Sequence, residues 1–127
     1  MSNNSGPGYK SHPQHTIETR PAAVHVQVTA QGEVIADSHN AIAMYEAGQG
    51  PTWYLPRSDV KMGRLERTQH STHCPFKGDA SYFSIKGAAN GENAVWSYEQ
   101  PFDEVMSIKD HLAFYPDRVD SIEAIGA

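Results

Sequence analysis

The residues most able to do chemistry in this 127-residue chain lie in one stretch, Thr68 to Tyr82. The stretch contains two histidines, the only cysteine and a lysine, namely His70, His73, Cys74 and Lys77. A cysteine near positive groups is held more readily as the thiolate, which is its nucleophilic form. We therefore predict Cys74 and Lys77 as candidate catalytic residues, with His73 or His70 as a possible base.

Two other interpretations of this stretch stay open. In a strand, adjacent side chains point to opposite faces, so His73 and Cys74 need not meet, and Cys74 is then a small buried hydrophobe at a tight turn. Alternatively, His70, His73 and Cys74 supply zinc ligands. A fourth ligand would have to come from a distant residue such as Asp79 or His111, so we expect no metal and no cofactor.

Composition excludes several classes of function. The formal charge of −5 argues against a general nucleic-acid binder, because such affinity comes largely from lysine and arginine neutralising phosphates. Apolar runs are far shorter than the roughly 20 residues of a membrane-spanning helix, and a single cysteine forms no intramolecular disulfide. We expect a cytoplasmic domain, monomeric or homodimeric, that contacts neither nucleic acid nor membrane.

The elements that must position these residues are mostly strands. Val24, Val26 and Val28 alternate with polar residues, which predicts a strand with one buried face and places His25 on the solvated face. Gln31-Gly32 predicts a turn into a partner strand, and the loop with Asn90-Gly91 predicts a second hairpin, between residues 80–86 and 94–99.

The remaining segments complete the predicted architecture. Residues 1–16 are rich in Ser, Asn, Gly and Pro and are predicted to form a flexible tail, so residues 17–127 form a single domain. An acidic first turn and helical spacing predict one short α-helix near residues 103–110. Many short strands with frequent Gly/Pro turns indicate a mainly β fold, a compact antiparallel barrel or sandwich.

Several motifs resemble a bacterial and fungal family catalogued as domain of unknown function 427. The matching segments span roughly residues 20 to 123 in the expected order: Glu33–Ser38, Tyr54–Pro56, Thr72–Tyr82, Ala94–Tyr98 and Ala113–Pro116. The resemblance implies a compact β domain, which we associate with a β-tent architecture. A nucleotidyltransferase label attached to the family finds little support here, because the chain has no Asp-x-Asp pair and no P-loop.

Aromatic and cationic residues around the Cys-Pro-Phe-Lys-Gly turn predict a pocket for a small anionic or planar molecule. The family pattern keeps tyrosines and a tryptophan beside this turn. The predicted ligand-binding residues are Tyr54, Arg57, Tyr82, Trp96 and Tyr98. The alternatives are an enzyme that uses Cys74 as nucleophile or redox centre, and a protein-interaction module.

Overall fold

The computed structural model describes residues 4–126, in which ten strands form three antiparallel sheets. The strands are β1 (Ile17–Pro21), β2 (Val24–Ala30), β3 (Glu33–Ser38), β4 (Ile42–Glu46), β5 (Gln49–Tyr54), β6 (Leu65–Cys74), β7 (Gly78–Ile85), β8 (Val95–Tyr98), β9 (Ala113–Phe114) and β10 (Ser121–Gly126). The mainly β prediction is confirmed. Of the two predicted architectures the sandwich fits, because the sheets do not close into a barrel.

The sheets have the strand orders β1-β4-β5, β10-β2-β3 and β6-β7-β8-β9. Both predicted hairpins are confirmed, with β2 paired to β3 and β7 paired to β8. Ala41 to Ala47, which we interpret from sequence as extended, contains β4. From sequence, the glycines and proline of Gly48 to Pro51 predict an interruption between two strands. The structure instead begins β5 at Gln49, because Ala47 and Gly48 form the turn, with φ of 50° and 79°.

Two glycines in hairpin loops serve different physical purposes. Gln31 and Gly32 both have positive φ, 54° and 74°, as a two-residue turn between twisted antiparallel strands requires. Gly91 is instead a site of close approach, because a Cβ there would lie 2.4 Å from the carbonyl oxygen of Ile85. Asn90-Gly91 therefore predicts the hairpin correctly. The reason for the prediction is that Asn-Gly tolerates positive φ, but Gly91 does not have a positive φ.

Helical segments are short. The helix that the sequence predicts near residues 103–110 is present as a 3-10 helix, Asp103–Ile108, rather than an α-helix, and Val105 interrupts it with φ −125° and ψ 31°. A four-residue α-helix, α1 (Gly8–Ser11), lies within the predicted flexible tail. Other 3-10 turns occupy Arg57–Asp59, Met62–Arg64 and Pro116–Arg118.

Residues 4–15 of the predicted tail contact the rest of the domain. The amide of Gly8 donates to the carbonyl of Pro75 at 2.9 Å, and His15 stacks on Phe76 with ring centroids 3.9 Å apart. A Cβ at Gly8 would lie 2.8 Å from the Phe76 ring, so only glycine fits this approach without displacement. Residues 1–3 lie outside the described residues, and tail flexibility stays a prediction.

Two apolar clusters make up the core. The first joins the inner faces of β2 and β3 to β7, β8 and β9, and includes Val26, Ile35 and Phe114. The second contains Tyr54, Tyr82 and Tyr98 together with residues of β4 and of the 3-10 helix Asp103–Ile108. The second cluster therefore contains three of the five predicted ligand-binding residues.

Candidate functional site

Strand alternation in the β6–β7 hairpin separates His73 from Cys74, the two neighbouring side chains that the sequence suggests could react together. The register pairs His73 with Asp79 and Cys74 with Gly78, so His73 and Cys74 lie on opposite faces of the sheet. His73 Nδ1 lies 2.6 Å from Asp79 Oδ1 at the exposed surface. Cys74 packs instead against the cluster that contains Tyr54 and Tyr98.

The face that carries Cys74 is aromatic. The register pairs Tyr82 with Trp96 and Ala80 with Tyr98, so these four side chains share it. Trp96 lies against Tyr115, with ring centroids 4.5 Å apart. We call this group the tyrosine face: Tyr54, Tyr82, Trp96, Tyr98 and Tyr115.

Hydrogen bonds connect the phenols of the tyrosine face to its surroundings. Trp96 Nε1 donates to the Tyr54 hydroxyl at 3.2 Å, and the Tyr82 hydroxyl lies 3.0 Å from Thr72 Oγ1 and 3.5 Å from the Tyr115 hydroxyl. Burial raises the pKa of Tyr54 and of Tyr98. Burial, followed by the hydrogen bond with Tyr82, raises the pKa of Tyr115 to about 12. With raised pKa values, the phenols of Tyr54, Tyr98 and Tyr115 therefore stay neutral at physiological pH.

Lys77 lies at the edge of the tyrosine face, with its charge already paired. Its Nζ is 5.7 Å from the centroid of the Tyr98 ring and donates to Glu46 Oε1 at 2.7 Å. Burial alone would raise the pKa of Glu46, but the hydrogen bonds and charges of Lys77 and His15 together outweigh burial, and the pKa lies below its usual value. His15 also contacts this carboxylate, at 2.8 Å.

Arg57 lies on the other face of the same sheet, away from the rest of the predicted ligand-binding set. It donates through Nη2 to Ser97 Oγ at 3.1 Å and to Glu99 Oε2 at 2.8 Å. Arg67 adds a bidentate pair to the same carboxylate at 3.0 and 2.6 Å, and both guanidinium groups lie over the Phe83 ring. Arg57 is thus part of an arginine–glutamate network.

Cys74 has aromatic neighbours. The charge of its thiolate form would raise the pKa of Tyr54 and Tyr98, although burial is the larger cause for both. Among residues 4–126 the thiol forms no hydrogen bond with a histidine. His70 lies nearer this face, with its ring 4.5 Å from that of Tyr82. A nucleophilic role for Cys74 stays a prediction.

The residues considered for zinc do not come together as a donor set. Among the described residues, His70, His73 and Cys74 are not part of a convergent group of three or more metal-binding side chains. His111 lies elsewhere, where its Nδ1 is 2.9 Å from the carbonyl oxygen of Lys109.

A narrow apolar cleft of about 110 Å³ opens beside Trp96, between the tyrosine face and the sheet of β2. Its lining includes Pro51, Trp53, Trp96, Phe114, Pro116 and Ile122. Two wider clefts lie at the β4–β5 hairpin, where Glu46 and Thr52 contribute to one and Phe76 to the other, while His15 lines both. The narrow cleft contains the largest concentration of aromatic surface among these three.

The predicted ligand-binding set omits several residues that contribute to this arrangement, although the sequence also suggests Trp53 as a pocket residue. Trp53 and Phe114 line the cleft, Tyr115 covers Trp96, and Glu46 neutralises Lys77. The signal for Trp53 was present, since it adjoins Tyr54 in a short aromatic strand. Glu46 gives no such signal, because its partner lies 31 positions away in the chain.

The fold and the site define a small antiparallel β domain with an aromatic cleft at the boundary of two sheets. The chain belongs to the family described as a domain of unknown function (DUF427), whose model matches residues 18–124. The family resemblance drawn from the sequence is therefore confirmed. No curated protein matches the chain.

The helices give no indication of a membrane span. Over residues 4–126, none combines the length and the apolar character needed to cross a bilayer.

Proposed function

We propose that this domain binds a small planar molecule in the cleft between Trp53 and Trp96. The observation that carries the proposal is the position of Trp96, which lines the cleft and also belongs to the tyrosine face. Ligand sites in proteins are mostly apolar concavities with a few oriented polar groups. The cleft supplies the apolar walls, and Thr52, which also lines it, supplies a hydroxyl group.

The shape and lining of the cleft favour a flat ring. Trp53, Trp96 and Phe114 present π surfaces, and prolines 51 and 116 are rigid and bring no charge. Its volume of about 110 Å³ is comparable with that of apolar cavities, roughly 150 Å³, that accept a single aromatic ring. The expected ligand therefore carries one aromatic ring, with any larger part extending into solvent.

Charge favours a neutral ring over an anion at this position. Lys77, the cation expected to attract an anionic ligand, is paired with Glu46 at 2.7 Å. Arg57 is hydrogen-bonded to Glu99 at 2.8 Å, on the opposite face of the β6–β9 sheet. Of the two ligand classes that the sequence suggests, we therefore propose the planar one.

The phenols beside Trp96 support the wall of the cleft rather than contact the ligand. None of them lines the cleft, and Tyr54 and Tyr98 are buried. Trp96 Nε1 donates to the Tyr54 hydroxyl at 3.2 Å, which orients the indole ring. Cys74 and Lys77 do not line the cleft either, so we expect neither of them to contact the bound ring.

Tryptophan fluorescence tests this proposal directly, because the chain contains two tryptophans and both line the cleft. Three probes separate the contributions of planarity and charge to binding. Benzamide is planar and neutral, benzoate is planar and anionic, and cyclohexanecarboxamide is neutral but not planar. We expect a saturable change with benzamide, a weaker one with benzoate and none with cyclohexanecarboxamide.

Variants with a single tryptophan show which tryptophan produces the fluorescence change. Trp53→Phe and Trp96→Phe each retain an aromatic wall and should keep saturable binding, whereas Trp96→Ala should abolish it. Folding of each variant is checked by the cooperativity of its urea unfolding curve. Equal responses to all three probes, or a purely linear response to benzamide, would refute a planar-ligand site.

A further inference from the structure

We propose that His25, Asp37 and His39 form a binding site for a divalent transition metal ion on the outer surface of the β2–β3 hairpin. One donor atom from each side chain lies within 4.8 Å of the others. The site is on a different surface from the cleft, and neither its residues nor its chemistry depend on the planar-ligand proposal.

The strand register brings these side chains together. In the β2–β3 pair, Val26 is opposite Ser38 and Gln27 is opposite Asp37. One step further along the same register places His39 opposite His25, and their rings stack with centroids 4.2 Å apart and an interplanar angle of 15°. Val26 and Val28 are fully buried, so His25 and its cross-strand neighbours point outward.

The donor set fits zinc-like ions. Two imidazole nitrogens and one carboxylate oxygen are the ligands of many zinc sites that keep an open coordination position. In a tetrahedral site two donors about 2.1 Å from the ion are about 3.4 Å apart. The donor atoms, which lie within 4.8 Å of one another, therefore have to approach by up to about 1.4 Å through side-chain rotations. These rotations would also tilt the stacked rings so that their lone pairs converge.

The surroundings already orient two of the three ligands. Gln27 Nε2 donates to Asp37 Oδ2 at 3.3 Å, leaving Asp37 Oδ1 in contact with His25 Nε2. A bound ion would occupy the place of the proton in that last contact. Outer hydrogen bonds of this kind orient metal-binding carboxylates and strengthen metal binding.

The backbone that carries His39 is fixed on both sides. The buried hydroxyl of Ser38 donates to Asp59 Oδ2 at 2.7 Å and accepts from the amide of Asn40 at 3.0 Å. The position of His39 between these two anchored residues limits the conformational entropy that metal binding must remove. The exposed surface leaves the remaining coordination positions to water.

The chain provides a matched comparison pair. His73 and Asp79 also form an exposed cross-strand histidine–aspartate contact, 2.6 Å between Nδ1 and Oδ1. This pair is not part of a three-donor group within residues 4–126. It therefore tests whether the third ligand, His39, matters.

The experiment titrates Zn²⁺ into full-length protein without a histidine tag, at fixed neutral pH, and follows all seven imidazoles by long-range ¹H–¹⁵N NMR. We expect the resonances of His25 and His39 to change first and to saturate at one equivalent of Zn²⁺, before those of His73. Calorimetry then gives the affinity of the wild type and the variants. His25→Ala and His39→Ala should each weaken binding at least about tenfold, since even outer-shell partners contribute 10- to 100-fold.

Asp37→Asn should weaken Zn²⁺ binding in the same direction, and His73→Ala should leave the affinity unchanged. The wild-type NMR titration keeps the test valid if one variant folds poorly. The proposal is overturned if any other histidine responds before His25 and His39. It is equally overturned if His39→Ala binds Zn²⁺ as tightly as the wild type.

Discussion

Replacing Glu99 by glutamine removes the carboxylate that holds two arginines over the Phe83 ring. Arg67 binds this carboxylate with both terminal nitrogens, Arg57 binds it at 2.8 Å, and Ser81 donates a further hydrogen bond at 2.8 Å. Glutamine keeps the size and one acceptor oxygen but loses the charge. The network should therefore lose its charge-assisted bonds without a change of shape.

The size of the effect follows from the pKa of Glu99. The hydrogen bonds of Arg67 lower it most, burial opposes them, and Ser81 and Arg57 lower it further, so that the pKa falls from 4.5 to about 2. At about 1.4 kcal/mol per pKa unit this is at most about 3.4 kcal/mol. The Glu99 side chain is 29% exposed and Arg67 is 50% exposed. Solvent screening therefore reduces the expected loss to about 1–2 kcal/mol.

The direction of the Glu99 pKa shift determines how the stability difference between wild type and Glu99→Gln depends on pH. A carboxyl group with a lower pKa in the folded state stabilises the fold fully above its unfolded pKa, and loses this contribution as pH falls through the folded pKa. The stability difference between wild type and Glu99→Gln should be full at about pH 7. It should be smaller by roughly two fifths at about pH 3.5.

Urea unfolding followed by tryptophan fluorescence measures this difference at each pH. Glu33→Gln is the matched control, because Glu33 also bridges two cations, Lys61 and Arg64, but its side chain is 39% exposed and each cation contacts it through a single nitrogen, at 3.1 Å. The control should change stability much less. A Glu99→Gln effect that is absent, equal to the control, or constant from about pH 7 to about pH 3.5 would refute the reasoning.

Two further substitutions test the packing and the charge of the site. Gly91→Ala should destabilise the fold by about 1–3 kcal/mol in urea unfolding, because the added Cβ would lie 2.4 Å from the Ile85 carbonyl, while Gly63→Ala, with no atom within 4 Å, should not. Lys77→Met should raise the pKa of Glu46, measured by ¹³C NMR titration, because it removes the larger of the two sets of contacts that lower this pKa against burial. An unchanged Glu46 titration would mean that the pair does not persist in solution.

Local sequence patterns predict the strands because strand alternation and turn chemistry are local properties. Alternating valines define the buried face of β2, and Gln31-Gly32 adopts the two positive φ angles that a tight hairpin needs. Alternation also anticipates that His73 and Cys74 diverge. The type of the helix at Asp103–Ile108 is not predicted, since the break at Val105 accompanies its burial beneath the sheet.

The candidate site is only partly predictable for a related reason. The sequence groups Tyr54 with Tyr82, Trp96 and Tyr98. The last three share one face because β7 and β8 pair in register, and Tyr54 packs against Trp96 and Tyr98 from β5. The sequence also groups Arg57 with them, whereas the folded chain pairs Arg57 with Glu99, 42 positions away. Long-range charge pairing of this kind is a property of the folded sheet order, and neither periodicity nor spacing encodes it.

The two proposed binding sites use opposite sides of the same strand. Val28 lines the cleft from the inner side of β2, whereas His25 lies on its outer side, three positions earlier. Binding free energies are reciprocal, so any coupling through β2 must appear equally in both titrations. No residue is shared between the sites. His39→Ala should therefore leave the benzamide affinity unchanged, and Trp96→Ala should leave the Zn²⁺ affinity unchanged. If instead saturating Zn²⁺ changes the benzamide affinity of the wild type, saturating benzamide must change the Zn²⁺ affinity by the same factor, which would show that the two sites are coupled.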